Sequence, residues 1–126
     1  MSVLGVGTDL VEIARIAAAL QRYGNRFPQR VLAGDELRQW RQGAPDAAYL
    51  ARRFAAKEAL AKALGCGIGG ELSFQDVIIG HDGRGAPRVL LSGAGQARAA
   101  RLGVRHFHLS ITDERAYALA FVVAES

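Results

Sequence analysis

The hydrophobic pattern of this chain changes period between its two halves. In the first half, apolar residues recur at the spacing of one face of an α-helix. In the second half, His106–Thr112 alternates strictly between polar and apolar side chains, and Ala116–Ala124 is rich in β-branched and aromatic residues. Helices mostly first and antiparallel hairpins mostly later predict an α+β protein in which antiparallel strands pack against helices.

Glycine, proline and acidic residues mark the ends of the predicted elements. We predict a buried strand over Val3–Thr8, a helix that Asp9 opens and Gly24 ends, and a loop around Pro28. The later elements are a helix over Asp35–Gln42, a break at Gly43–Pro45, a helix over Ala48–Leu64, strands over Phe74–Gly80 and Arg88–Leu91, a helix over Ser92–Leu102 and a last hairpin that turns at Asp113–Arg115.

The size and polarity of the chain limit its class. Its 126 residues predict a single domain over residues 1–126. The longest apolar run, Ala116–Ala124, is shorter than the ~20 residues that span a bilayer, and Asp9 falls where a signal peptide would be hydrophobic. The single cysteine, Cys66, cannot form an internal disulfide. We therefore expect a cytoplasmic protein without membrane attachment.

The positive charge is concentrated in the first half of the chain. The net charge is +4, and residues 1–62 carry ten Lys or Arg against six Asp or Glu. Residues 13–34 contain no acid and four arginines: Arg15, Arg22, Arg26 and Arg30. This segment suits an acidic partner, either nucleic acid or an acidic protein. A solvated surface of scattered arginines explains the charge equally well.

Glu58 and Lys62 lie four residues apart on the helix over Ala48–Leu64. The helical spacing places both along one edge of the apolar stripe formed by Leu50, Phe54, Ala61 and Leu64. An ion pair that supports the helix explains this arrangement without any function. A carboxylate and an ammonium at the rim of a core face can also form part of a site.

Asp9 has two readings as well. With Glu12 it matches a capping box, in which Asp9 is the N-cap of the following helix. It also ends a glycine-rich strand that could hold its carboxylate rigidly at a site. Mg²⁺ is commonly held by one or two carboxylates together with substrate phosphates and water, so Asp9 and Glu58 would suffice if they meet.

Two further patterns give weaker indications. The loop Gly65–Gly70 contains four glycines, and Gly65 is explained as the residue that follows a helix. The other three glycines would let backbone amides approach a phosphate. No P-loop or dinucleotide-binding motif is present. His106 and His108 lie on one polar face of a strand, and exposure of this face to solvent is enough to explain its polarity. No third zinc ligand is near them in the sequence.

Three segments in order form a recognisable set. They are GVGTDLVEI from Gly5, RFAAKEALAK from Arg53 and LSFQD from Leu72, and the turn GAP from Gly85, HLSIT from His108 and Tyr117 fit with them. Together they resemble bacterial holo-[acyl-carrier-protein] synthases, which are 4′-phosphopantetheinyl transferases, over almost the whole chain. The resemblance implies a 4′-phosphopantetheinyl transferase-like fold and a homotrimer whose active sites lie between subunits.

The resemblance also implies a reaction, in which Mg²⁺ assists transfer of phosphopantetheine from coenzyme A to a serine of acyl carrier protein, for fatty acid biosynthesis. Asp9 and Glu58 resemble the metal ligands and Lys62 the lysine that contacts the pyrophosphate. Glu58, or a metal-bound water beside it, is the candidate base for the serine proton. The predicted coenzyme A contacts are Arg53, Lys62, Gly65, Gly67 and His108, and the predicted docking residues for the acidic carrier protein are Arg15, Arg22 and Arg26.

Two positions depart from the pattern of relatives. Asp113 stands where many relatives have His, so no histidine role is expected there. Val11 stands where larger single-chain transferases have a second acid, so protein ligands are expected to be two carboxylates only. The competing functions are a basic nucleic-acid-binding domain, for which Tyr23 and Phe27 are the available stacking aromatics, and a structural protein in which Asp9, Glu58 and Lys62 only stabilise the fold.

Overall fold

The computed structural model describes residues 1–43 and 46–126 of the chain. Its helices and strands are β1 Val3–Glu12, α1 Ile13–Tyr23, α2 Arg26–Val31, α3 Asp35–Gln42, α4 Ala47–Ala63, β2 Val77–His81, β3 Pro87–Leu91, α5 Gly93–Leu102, β4 His106–Asp113 and β5 Tyr117–Glu125. A 3₁₀ turn over Phe74–Asp76 precedes β2.

An antiparallel sheet in the order β1-β5-β4 carries most of the fold. In the central strand, Ala120 pairs with Asp9 on one side and with Ile111 on the other. The inner face of β5 is lined by small buried residues, which are Ala118, Ala120, Val122 and Ala124. Strands β2 and β3 pair separately as an antiparallel hairpin. The α+β prediction is confirmed.

Helix α4 packs on the inner face of this sheet, and two glycines of β1 allow a very close approach. A Cβ atom at Gly5 would lie 1.8 Å from the carbonyl oxygen of Ala63, and one at Gly7 would lie 1.8 Å from that of Ala59. Two residues of strand thus correspond to about one turn of helix. Asp9, two residues beyond Gly7, therefore lies beside the preceding turn of α4 on the same face of β1.

The predicted capping role of Asp9 is wrong. The strand continues through Glu12, and α1 begins at Ile13 with Glu12 as an N-cap that makes no side-chain bond. Asp9 and Val11 pair with Ala120 and Ala118 of β5, and Val11 is buried. Pairing with the central strand and burial of Val11 stabilise the extended conformation more than one capping bond would stabilise an earlier helix start.

Other element boundaries differ less. Residues 26–31, predicted as a loop around Pro28, form the short helix α2, with the ring of Pro28 buried inside its first turn. The strand predicted from Phe74 begins at Val77, after the 3₁₀ turn. Ala44 and Pro45 of the predicted break lie outside the described residues. The remaining helices and strands are confirmed to within about two residues.

The outer face of the three-stranded sheet is largely apolar and exposed. Leu10 is 61% exposed, Val6 52% and Phe121 39%. Beside them, β4 presents its exposed polar residues, namely His106, His108, Ser110 and Thr112. The outward face of β4 is therefore polar as predicted, whereas the outward faces of β1 and β5 are not. None of the helices in the described residues is both long enough and apolar enough to cross a bilayer.

Candidate active site

Asp9 presents its carboxylate at the junction of β1 and α4. Its side chain is only 17% exposed, and Oδ1 lies 3.4 Å from Nζ of Lys62. Among the described residues, no hydrogen-bond donor reaches the other oxygen, Oδ2, although it is buried. A buried carboxylate oxygen without a hydrogen-bond donor costs free energy, so binding of a cation or another ligand at this atom is favourable.

Glu58 lies beside Asp9 on α4. Both line one cleft, together with Arg15 of α1. Partial burial and the negative charge of Asp9 raise the pKa of Glu58, and Lys62 opposes that rise. The structure therefore brings the two carboxylates into one cleft, a meeting that the sequence left open. Their mutual repulsion is relieved either by a proton or by a bound cation.

Lys62 contacts β1 in preference to its own helix. Its Nζ donates to the carbonyl oxygen of Thr8 at 2.8 Å and lies 3.4 Å from Oδ1 of Asp9. The side chain is 54% exposed, which leaves the ammonium accessible. The structure thus favours the site over the simple helix-supporting pair with Glu58.

A second cleft of about 560 Å³ opens on the other side of Glu58. Arg26 and Arg30 of α2 line it, together with Phe27 and Phe54. Because the first cleft is also lined by Phe27, Phe54 and Glu58, the two clefts meet at the glutamate. Sequence reasoning missed Arg30, Phe27 and Phe54 as site residues.

Comparison with known proteins identifies the family. A family model described as the 4′-phosphopantetheinyl transferase superfamily matches residues 5–122. The holo-[acyl-carrier-protein] synthase of Vibrio parahaemolyticus is 50% identical over 126 residues, which cover 100% of both chains. This chain belongs to the 4′-phosphopantetheinyl transferase superfamily.

Solved structures of relatives in the phosphopantetheinyl transferase family share the fold. The crystal structure of holo-[acyl-carrier-protein] synthase from Neisseria meningitidis superimposes with a TM-score of 0.93 at 42% identity and covers 99% of this chain and 100% of its own. The Helicobacter pylori synthase, solved in complex with coenzyme A, has a TM-score of 0.83 at 33% identity and covers 95% of this chain and 99% of its own.

The predicted docking arginines of this transferase lie on two helices. Arg15 and Arg22 are exposed on α1, and the guanidinium of Arg22 stacks 5.3 Å from the ring centre of Tyr23. Helix α1 ends at Tyr23, and Gly24 caps it with a φ of 59°. Arg26 therefore lies on α2, on a different helix from Arg15 and Arg22.

The predicted coenzyme A residues fall into two groups. Gly65 follows α4 with a φ of +72°, which confirms its place after the helix, and Gly67 lies in the loop beyond it. Arg53 and His108 lie elsewhere. The side chain of Arg53 is 6% exposed, with Nε 3.5 Å from Glu36 and its guanidinium 4.8 Å from the Tyr49 ring centre. A direct contact with a nucleotide would require Arg53 to leave these partners, and its assignment stays a prediction.

His108 lies on the outer face of the sheet, where its Nε2 is 3.3 Å from Oε1 of Glu125. Asp9 lies on the inner face, which packs against α4. Within one chain His108 therefore does not join the carboxylates. Its role in binding coenzyme A stays a prediction.

A buried ion pair next to the site was not predicted. The side chain of Lys57 is 0% exposed, and its Nζ lies 2.7 Å from Oε1 of Glu36. It also donates to the carbonyl oxygens of Val31, at 2.6 Å, and Phe74, at 3.2 Å. Burial lowers the pKa of Lys57, and Glu36 opposes that change. The signal was present in the sequence, because Lys57 lies between Phe54 and Ala61 on the apolar stripe of α4.

The two carboxylates fit a divalent cation that also has ligands outside the protein. No three His, Cys, Asp or Glu residues among those the structure describes come together as a metal site. The unpartnered Oδ2 of Asp9 and the repulsion between Asp9 and Glu58 favour a hard cation such as Mg²⁺, which accepts few protein ligands when phosphate oxygens and water complete its shell.

Proposed function

We propose that this protein transfers 4′-phosphopantetheine from coenzyme A to a serine of apo acyl carrier protein and releases adenosine 3′,5′-bisphosphate. The observation that carries the proposal is the position of Glu58, which lines two clefts, beside Asp9, which lines one of them and pairs with Lys62. A relative that is 50% identical in sequence is named holo-[acyl-carrier-protein] synthase, and the Helicobacter pylori synthase, which shares the fold, was solved with coenzyme A.

Asp9 and Glu58 would hold Mg²⁺ through Oδ2 of Asp9 and the partly buried carboxylate of Glu58. When bound, Mg²⁺ would neutralise charge on the pyrophosphate oxygens of coenzyme A. The protein supplies a rigid mounting for both carboxylates, because Gly5 and Gly7 fix the spacing of β1 against α4. Fixed charges of this kind need no rearrangement during the reaction.

Lys62 and Glu58 perform the remaining steps. The accessible ammonium of Lys62 is placed to stabilise negative charge on the leaving phosphate, since positioning and charge neutralisation are the main contributions to phosphoryl transfer. Glu58 has a raised pKa and is the candidate acceptor of the serine proton, either directly or through a water beside it.

The glycine-rich loop is proposed to bind the phosphates of coenzyme A. Among the described residues, no protein oxygen accepts a hydrogen bond from the amides of Gly67, Ile68 or Gly70. Free amides that follow one another in a loop form a concave donor surface for phosphate oxygens. Ile68 also lines the cleft of Glu58, so the loop borders the reaction site.

Arg15, Arg22 and Arg26 are proposed to dock the acidic carrier protein. All three are exposed, and residues 13–34 contain no acid. Arg15 and Arg26 line the two clefts that meet at Glu58. A carrier protein docked on α1 and α2 would therefore bring its serine toward Glu58. We place the protein in the cytoplasm, as one domain that activates carrier protein for fatty acid biosynthesis.

The exposed apolar face of the sheet supports a homotrimer with shared sites. Leu10, Val6 and Phe121 on β1 and β5 form a surface that a neighbouring copy would cover. His108 lies on the same face and could reach a neighbour's nucleotide, which would explain its separation from Asp9. A closed ring requires a heterologous interface. Mixing Asp9→Asn subunits with His108→Ala subunits should restore activity that neither variant has alone, and light scattering that shows a monomer would contradict the trimer.

The decisive experiment for the function is a transfer assay. With coenzyme A, Mg²⁺ and apo acyl carrier protein, mass spectrometry should show one phosphopantetheine added to one serine. Chelation with EDTA should stop the addition, and added Mg²⁺ should restore it. Full transfer in EDTA would contradict the role of the carboxylates as metal ligands, and no transfer under any condition would contradict the proposed function itself.

A further inference from the structure

The loop over residues 65–71 is held at both of its ends by a single side chain of α5. The Nε atom of Arg98 donates to the carbonyl oxygen of Leu64 at 3.0 Å, and its Nη2 contacts that of Gly65 at 3.4 Å. Its Nη1 pairs with the carboxylate of Glu71. The guanidinium thus joins the first and the last residues of the glycine-rich loop.

Arg98 is well suited to this position. The last carbonyl groups of a helix lack partners within the helix, and a cation at that end is favoured by the helix dipole. Arg98 satisfies this need at the end of α4 and uses the other side of its planar group for Glu71. The side chain of Arg98 is 18% exposed and that of Glu71 is 63% exposed, so water competes less for the bond to the Leu64 carbonyl oxygen than for the ion pair with Glu71.

The loop itself has few internal constraints. The amide of Cys66 donates to Ala61 and that of Gly69 donates to Leu72. Glycine at positions 67, 69 and 70 leaves the backbone many conformations when nothing holds it. The loop conformation that places Ile68 in the lining of the cleft of Glu58 therefore depends on what fixes the ends of the loop.

We propose that Arg98 is a positioning residue for coenzyme A binding, which acts by fixing the glycine-rich loop. This inference rests on the proposed function, since the loop is assigned to the phosphates of coenzyme A. Arg98 contacts the loop ends and not the reacting atoms. Its loss should weaken binding of the nucleotide in ground state and transition state alike, which raises KM with little change in kcat.

The test compares Arg98→Ala with Arg101→Ala. Arg101 is exposed near the end of the same helix, so its removal makes the same change in net charge and helix composition. Arg98→Ala should raise KM for coenzyme A by on the order of tenfold, while kcat and KM for the carrier protein change by less than about twofold. Arg98→Lys should recover part of the loss, because an ammonium can reach Glu71 or the carbonyl groups but cannot bridge them in one plane.

Hydrogen exchange gives a readout that does not depend on activity. In Arg98→Ala the two hydrogen-bonded loop amides, those of Cys66 and Gly69, should exchange on the order of tenfold faster, with exchange in β5 unchanged. Unchanged exchange in the loop would overturn the proposal, and so would faster exchange with an unaltered KM in an active enzyme. If wild type shows no transfer, the proposed function fails separately, and exchange still decides whether Arg98 orders the loop.

Discussion

Lys62 on α4 and Asp9 on β1 are joined across the interface between helix and sheet, with Nζ 3.4 Å from Oδ1. The same ammonium donates to the carbonyl oxygen of Thr8 at 2.8 Å. One oxygen of Asp9 is therefore occupied by Lys62, while the buried Oδ2 has no donor in the part of the chain that the structure describes. Within one carboxylate, Oδ1 therefore makes a structural contact and Oδ2 is available to bind a ligand.

The first prediction concerns Asp9→Asn and Glu58→Gln. Both changes keep the shape of the side chain and one acceptor oxygen, and Asp9 caps no helix, so the free energy of unfolding should change by less than ~1 kcal/mol in either variant. Transfer should nevertheless fall by on the order of a hundredfold or more, because a fixed charge that the reaction uses is lost. Urea unfolding and steady-state rates at saturating Mg²⁺ provide the two measurements.

Glu114→Gln is the matched control, since Glu114 is an exposed carboxylate next to the hairpin turn after β4. It should leave both the stability and the transfer rate close to wild type. Rates near wild type in Asp9→Asn and Glu58→Gln as well would return the two carboxylates to a purely structural role.

The second prediction is a pH dependence of stability in metal-free protein. Burial and Asp9 raise the pKa of Glu58 above its ordinary value of 4.5, so the folded state binds the proton more tightly than the unfolded state. The stabilisation from Glu58 is therefore complete below the unfolded pKa and is lost as the pH rises through the folded pKa. Glu58→Gln has no such loss and should become more stable relative to wild type as the pH rises toward neutrality.

Urea midpoints measured in EDTA across this range provide the comparison. The difference in urea midpoint between the protein with Glu58 and its Glu58→Gln variant should change less with pH in an Asp9→Asn background. The reason is that the charge of Asp9 causes part of the rise in the pKa of Glu58. A difference in urea midpoint that stays constant with pH in both backgrounds would contradict a raised pKa of Glu58 in the folded protein.

Much of the fold could be predicted because the sequence carries it locally. The period-2 pattern of β4 and the apolar stripe of α4 each follow from neighbours in the chain. The start of α1 could not be predicted in this way. Asp9-Leu-Val-Glu12 is compatible with a helix cap, and only pairing with β5, more than 100 residues away in the chain, makes it a strand.

For the site too, the residues could be predicted from nearby sequence, but their contacts with residues far away in the chain could not. The carboxylates of Asp9 and Glu58 were predicted from their motifs, and their meeting depends on close packing at Gly5 and Gly7. The partner of Lys57, Glu36, lies 21 residues away on another helix. A charged residue on an apolar stripe indicates that a buried partner exists, but the stripe alone does not indicate which residue it is.

The third prediction concerns the packing of β1 against α4. A Cβ atom at Gly7 would lie 1.8 Å from the carbonyl oxygen of Ala59, and neither backbone can move without disturbing the sheet. Gly7→Ala should therefore reduce the free energy of unfolding by at least ~2 kcal/mol. Transfer should fall even where the protein stays folded, since displacement of Asp9 by about 1 Å disrupts the site.

Gly80→Ala is the control for a glycine inside a strand. No heavy atom lies within 4 Å of a Cβ at Gly80. This variant should unfold within ~1 kcal/mol of wild type and remain active. Equal behaviour of Gly7→Ala and Gly80→Ala would mean that the contact between β1 and α4 is looser than the structure indicates.

The fourth prediction concerns the buried pair of Lys57 and Glu36. Lys57→Met removes the charge but leaves the carboxylate of Glu36 buried without its nearest cation, which should cost about 3–5 kcal/mol. Glu36→Leu combined with Lys57→Met removes both charges and should recover part of that loss. Recovery is incomplete because Glu36 also accepts from the amides of Ala33 and Ile79. Additive single effects in a double-mutant cycle would show that the pair is not coupled.

The last prediction concerns Arg15, which the structure places in the cleft that Asp9 and Glu58 also line. Its guanidinium could thus serve either the carrier protein or the nucleotide. Docking of an acidic protein across an exposed surface is screened by salt and acts mainly on association. Arg15→Glu should therefore raise KM for the carrier protein by on the order of tenfold with coenzyme A affinity retained, and added salt should weaken wild type more than the variant.

Arg88→Glu separates a local effect of Arg15 from a change in total charge. Arg88 is exposed on β3, outside both clefts, and its reversal changes the net charge by the same amount. If long-range attraction alone steered the carrier protein, both reversals would raise its KM equally. A specific docking contact predicts a large effect for Arg15 and a small one for Arg88, because charges beyond a Debye length of about 8 Å contribute little at physiological salt. Loss of coenzyme A binding in Arg15→Glu, with KM for the carrier protein unchanged, would instead assign Arg15 to the nucleotide.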